Sequence, residues 1–166
     1  MGDHGKAYQT YTPAMCSRMK ELVGLGDLVT PNLTEACILT GREYREEGWH
    51  RADLLAMAEE ILKMGPSGAV ITGVKEGAYL TNVIAERDRE AAFCRSLRVG
   101  RERPGTGDVF SAIVAAEAVK GSSLIDAAKK AARFVKRCIL KSEELEVPVQ
   151  NGVCFEEVLA ELIKWK

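Results

Sequence analysis

Two widely separated histidines, His4 and His50, and five cysteines without a single C-x-x-C pair leave this sequence no spacing from which to build a zinc site. The cysteines, Cys16, Cys37, Cys94, Cys138 and Cys154, are odd in number and far apart. Reduced, buried thiols are therefore expected rather than a disulfide framework. Excess positive charge is also missing: 23 basic against 24 acidic residues give a net charge of −1. That removes the electrostatic footprint of a nucleic-acid binder and of a polybasic membrane patch, so any phosphate must be held locally. The opening MGDHGKAYQT has no apolar signal-peptide core, and no run approaches the ~18 apolar residues of a membrane span. A soluble, cytoplasmic chain is expected. Repeats, low-complexity tracts and linkers are absent as well, which points to one domain over 1–166.

What is present is an ordinary globular composition, 46% hydrophobic and 28% charged. Pro13 at a tolerated first-turn position opens an amphipathic helix over Pro13–Leu25, with Met15, Met19, Leu22 and Val23 on one side and Gly24 and Gly26 ending it. The segment DLVTPN reads as a short strand stopped at Thr30 and Pro31. A second helix starts near Asn32 or Thr34 and ends at Gly41, and a third covers 51–64. The continuous apolar run at 69–72 has the pattern of a strand buried on both faces, as in parallel sheets. Residues 78–84 and 93–99 look like more exposed strands of an antiparallel extension, joined through ERDRE. A long helix capped by Ser122 or Ser123 runs to about 140, and a last one is expected over 154–165 with Trp165 as a packing anchor. Alternating strands and helices predict an α/β fold. The chain has few buried-type strands for its helices and opens on a polar turn, so the expected fold lacks its first strands.

The stretch RERPGTGDVFSA places Gly105, Thr106, Gly107 and Asp108 ahead of Val109, Phe110, Ile113, Val114 and Val119, a pattern for a helix packed on most of its surface. The first amides of a helix have no intrahelical partner, and glycines let the main chain approach an anion closely. The same letters also make an ordinary cap and turn, and both readings stand on these residues alone.

Three segments together, MGDHGKAY, TPNLTEACILTG and RPGTGDVFSA, resemble pyridoxal kinase of the ribokinase-like superfamily, in matching order and spacing. The resemblance extends through VITG and covers the C-terminal part of such a kinase, so the chain is expected to be a nucleotide-binding portion whose own activity depends on what supplies the upstream part. It implies a three-layer α/β fold with a mainly parallel central sheet lacking its N-terminal strands, ATP and pyridoxal as partners, Mg²⁺ as cofactor and a homodimer in the full-length form. Asp108 then matches the general base, and the amides of Gly105, Thr106 and Gly107 the anion hole for the transferring phosphoryl group. Glu35 matches the magnesium-side carboxylate and Asp3 another acid near it, while Asn32, Thr72, Thr30 and Tyr8 match nucleotide-side positions. Gly73 departs from a serine frequent in relatives, which puts a hydroxyl contact there in doubt, and Lys75 suits either phosphate screening or a solvated turn.

The blander accounts remain open beside this. Asn32 and Glu35 stand three apart and spell a capping box as readily as a magnesium edge. Hydroxymethylpyrimidine kinases resemble the chain at TPN and EA but typically carry cysteine where Asp108 stands. Sugar kinases share only the G-x-G-D motif. A catalytically inactive nucleotide-binding fragment is the rival from another class.

Overall fold

The computed structural model describes residues 1–164, and the expectation for Trp165 lies outside them. The chain, expected as one domain, forms two compact units: Met1–Arg95, and a second from Ser96 on.

The first unit opens with a tight hairpin, β1 (Gly2–Asp3) against β2 (Lys6–Ala7). Helix α1 (Pro13–Leu25) follows, its Thr12 hydroxyl capping the amide of Met15. Strand β3 (Leu28–Val29) and helix α2 (Leu33–Thr40) flank Pro31, where the missing donor and restricted predecessor break the strand. Gly41, in the left-handed conformation, ends α2. Helix α3 (Arg51–Lys63) turns Leu54, Met57, Ala58 and Ile61 inward at i, i+3, i+4 and i+7, and all four are fully buried. Each large side chain so buried contributes about 1.5–3 kcal/mol.

The sheet runs β3, β4 (Gly68–Glu76), β5 (Tyr79–Glu86), β6 (Ala92–Leu97). It is mixed rather than mainly parallel: β3 and β4 are parallel, β4 and β5 antiparallel. Ala69, Val70 and Ile71 are wholly buried, as the apolar run required. Strand β5 is less exposed than its sequence suggested, with residues 81–85 buried, because it is an inner strand with α3 packed against it. The register of β4 on β5 shifts between Ile71 and Val74, a bulge at which the Gly73 amide donates to the Asn82 side chain.

The second unit is built on helices α4 (Thr106–Val119) and α5 (Leu124–Glu144), packed together. Ser123 caps α5, and the stripe Leu124, Ala127, Ala128, Ala131, Phe134, Cys138 and Ser142 is buried. Helix α4 is not packed on most of its surface. It buries Phe110, Ile113 and Val114, whereas Ala112, Ala115, Ala116 and Val119 are exposed at the same helical spacing. The last expected helix, over 154–165, is replaced by a 3-10 turn at Glu156–Val158 and a four-residue α6 (Glu161–Lys164), and another 3-10 turn at Val149–Asn151 precedes it. Of its apolar residues Val158 is buried while Leu159 and Ile163 face outward, too little burial to hold a short helix that is marginal by itself. The five cysteines are free, but only Cys37 and Cys138 are buried.

Two glutamates tie this unit together. Glu117 accepts hydrogen bonds from Lys130 of α5, Lys120 and Ser122, which hold its carboxyl down at about 2. Glu143, gripped mainly by Arg101 and also by Arg103, is likewise held at about 2. In the unfolded chain both carboxyls return to the ordinary value of 4.5. The unfolded state therefore takes up protons first, and the stabilisation is complete above that value and lost as pH falls toward about 2. Thermal unfolding between pH 6 and 2.5 is expected to show this loss, and Glu117→Gln together with Glu143→Gln should flatten it. An equally steep profile in the double variant would assign the acid sensitivity elsewhere.

Candidate functional site

In the first unit, the hairpin, the first turn of α2 and the middle of β4 meet, β4 running past Thr72 to Glu76 rather than ending there. The Asn32 side chain caps α2 by accepting from the Glu35 amide at 2.8 Å, and its Nδ2 donates to the Gly2 carbonyl at 2.9 Å. Glu35 completes a capping box by accepting the Asn32 amide at 3.0 Å, and its Oε1 receives the Met1 ammonium at 2.7 Å. The Gly5 amide donates to the Thr34 hydroxyl at 2.9 Å. Thr72 lies at the bulge and extends the parallel pairing through a bridge to Asn32, its amide donating to the Pro31 carbonyl at 2.8 Å. The fold thus brings Asn32, Glu35 and Thr72 to one end of the parallel strands, beside the Gly2 carbonyl of the hairpin, the end at which open α/β sheets bind ligands.

The remaining positions are less engaged. Thr30 follows β3 half-buried, and Tyr8 is exposed. Asp3 is exposed and accepts the His4 amide. Lys75 pairs with Glu46. Among the described residues, no group of three or more His, Cys, Asp or Glu side chains could hold a metal ion.

In the second unit, the turn before α4 is shaped by glycine. Gly105 is the N-cap with φ of 85°, a left-handed conformation that disfavours a side chain, and no side chain caps this helix. The Thr106 hydroxyl instead donates back to the Arg103 carbonyl at 3.2 Å. The opening amides are thereby left for a partner outside the helix. Asp108 does not cap its helix: its exposed carboxylate makes no hydrogen bond among the described residues. Gly107 has an ordinary backbone conformation, and a methyl group added there would meet nothing within 4 Å. Neither packing nor strain calls for glycine at that position, whereas a ligand lying on the backbone would.

Asp108 opens onto a cavity of about 330 Å³ lined by Pro104, Gly105, Val109, residues 150–153 and Phe155. The second wall, from the segment VPVQNGV, escaped the sequence reading, as did Arg103, whose side chain is fully buried. The Asn151-Gly152 pair is a turn signal that could have marked it.

Known proteins resemble this chain over most of its length. A family model described as phosphomethylpyrimidine kinase matches residues 5–152. The hydroxymethylpyrimidine/phosphomethylpyrimidine kinase of Rhizobium meliloti is 30% identical over 140 residues, 84% of this chain and 52% of that protein. A Bacteroides thetaiotaomicron protein solved with pyridoxal superimposes with a TM-score of 0.91 at 26% identity, over 98% of this chain and 58% of that one. Pyridoxal kinase from Leishmania donovani, in complex with ADP and pyridoxamine, gives 0.76 at 26% identity over 87% and 48%. The chain spans about half the length of the curated relatives it matches. With an α/β fold shared with these kinases and a match running from the hairpin through the Gly-Thr-Gly-Asp turn to the segment beyond α5, the chain belongs to the phosphomethylpyrimidine kinase family.

Proposed function

We propose that this chain serves ATP-dependent phosphorylation of the hydroxymethyl group of pyridoxal and related B6 vitamers. The observation that carries the reading is Asp108, an exposed carboxylate without a hydrogen-bond partner among the described residues, beside helix amides that no side chain caps and a cavity. Asp108 takes the proton of the acceptor hydroxyl as its oxygen bonds to the γ-phosphorus of ATP, and the bridging oxygen leaves with ADP. The amides of Gly105, Thr106 and Gly107 donate to the charge on the transferring group. Thr72 and Asn32 belong to the nucleotide side, with Thr30 and Tyr8 as weaker contributors.

Mg²⁺ suits the chemistry of Glu35, a half-buried carboxylate in the first turn of α2, as a hard oxygen ligand. Glu35, with Asp3 near the same cluster, would hold it, and the ion would offset phosphate charge. Asn32, on the nucleotide side, is held in place by the Glu35 amide and the Gly2 carbonyl.

The second reading, phosphorylation of hydroxymethylpyrimidine, is favoured by the family model and by the Rhizobium meliloti relative. The test offers pyridoxal and hydroxymethylpyrimidine separately with Mg-ATP and follows each phosphorylated product by mass spectrometry. A higher kcat/KM for pyridoxal is expected. A higher value for the pyrimidine would move the substrate to the second reading, and nucleotide binding without either product would leave a nucleotide-binding protein.

Gly107 separates an anion site from a plain helix start. Gly107→Ala is expected to raise stability slightly, by roughly 0.5 kcal/mol, since glycine is a poor helix residue. ATP binding should weaken at least several-fold as the methyl group meets the phosphates. Thermal melts and nucleotide titrations on one preparation read both, and unaltered ATP affinity would leave these amides without a ligand.

A further inference from the structure

Arg103 lies two residues before Gly105, outside the proposed base and amides. Its guanidinium is wholly buried, and a buried charge persists only where it is paired and hydrogen-bonded. Nη1 donates to the carbonyls of Val147 at 2.8 Å, Pro148 at 3.4 Å and Gly152 at 3.4 Å. Nη2 donates to Glu143 Oε1 at 3.1 Å, while Nε lacks a partner among the described residues. One planar group therefore grips both ends of the 147–152 segment and a carboxylate of α5.

We propose that Arg103 is a positioning residue for the Asp108 site: it holds the 147–152 segment against the turn that opens α4 and so sets the wall of the cavity on which Asp108 opens. The inference rests on the kinase reading for its functional consequence. The segment is seated closely: the Val153 amide donates to the Pro104 carbonyl at 3.1 Å. A methyl group at Gly152 would stand only 3.2 Å from that same carbonyl oxygen. Both contacts are made by the residue next to Arg103, so the clamp and the glycine turn are one piece of chain.

The segment has anchors besides this clamp. On one side of the segment the Val147 amide donates to the Ser142 carbonyl, and on the other the Cys154 amide donates to the buried Ser142 hydroxyl at 2.8 Å. Glu143 keeps its bonds to Arg101 when Arg103 is replaced. Losing the fork thus frees the wall while its ends stay tied to α5. Lysine retains the charge but presents a single ammonium, which cannot span the carbonyls of 147 and 152 and the Glu143 carboxylate together.

Arg103→Lys in the full chain is the test. KM for ATP and Kd for ADP are expected to rise about tenfold with kcat within about threefold, a split that marks lost binding geometry rather than lost chemistry. Amide hydrogen exchange across 147–153 should quicken about tenfold while amides of 127–138 stay unchanged, which separates local loosening from global destabilisation. Unchanged exchange at 147–153 would overturn the proposal whatever the activity. So would quickened exchange with unaltered nucleotide affinity in a protein that binds nucleotide. A wild-type protein that binds no adenine nucleotide would instead remove the kinase reading, and the exchange result would still decide whether Arg103 clamps the wall.

Discussion

Asp108→Asn is expected to lower kcat for phosphoryl transfer by about 10²- to 10⁴-fold, the usual contribution of a general base. Asparagine keeps the size of the side chain but cannot take a proton from the attacking hydroxyl. The substitution is clean because the carboxylate is exposed and anchors nothing among the described residues, while the helix begins on Gly105 without side-chain help. Stability should therefore move by less than about 0.5 kcal/mol, as for surface substitutions elsewhere. ATP affinity should change little, since the amides of the turn remain. Turnover is measured wherever the wild-type chain shows it, alone or mixed with the N-terminal half of the Rhizobium meliloti relative, and near-normal kcat would remove Asp108 from the base role. The contrast with Arg103→Lys is informative: one variant should lose kcat at constant nucleotide affinity, and the other should do the reverse.

Local chemistry made much of this structure readable in advance. Pro13, the Thr30-Pro31 step, Gly41 and Ser123 each mark an element boundary through a missing donor, a left-handed cap or a hydroxyl cap, and those elements stand where these residues put them. The glycine turn before α4 was visible for the same reason. Burial was harder to read, because it depends on what packs outside an element. The sequence of β5 reads as a half-exposed strand, yet its place inside the sheet buries residues 81–85. Apolar residues around α4 suggested burial on most sides, and only one face found a neighbour. At Asn32 and Glu35 the capping box and the magnesium edge use the same letters, and the structure forms the box without deciding on the ion. Arg103 was illegible because an arginine's burial is set by carbonyls 44 to 49 residues away, through a loop with no periodicity to follow.

The 166-residue chain in isolation is expected to self-associate at micromolar concentration, through the two apolar stripes it leaves in water. On α4 the stripe is Ala112, Ala115, Ala116 and Val119, with Val119 90% exposed. On α1 it includes Met15, Leu22 and Leu25, exposed by 46, 58 and 84%, whereas Val23 is the residue that the helix buries. An exposed leucine alone is unremarkable, but aligned apolar residues on an otherwise well-formed helix are a surface shaped for contact. Covering a large aliphatic side chain contributes about 1.5–3 kcal/mol, so a few such residues together can offset the ordering cost of a weak association. Sedimentation velocity across a concentration series should show mass increasing above that of the 18.1 kDa chain. Leu22→Gln with Val119→Gln should return it toward monomer without lowering the melting temperature, since neither side chain is in the core. Adding the N-terminal half of the Rhizobium meliloti kinase tests whether a family polypeptide competes for the same faces, and competition would appear as a defined heterodimer replacing the self-associated species. A wild-type chain that stays monomeric at every concentration would mean that these stripes are too small or too mobile to hold a partner.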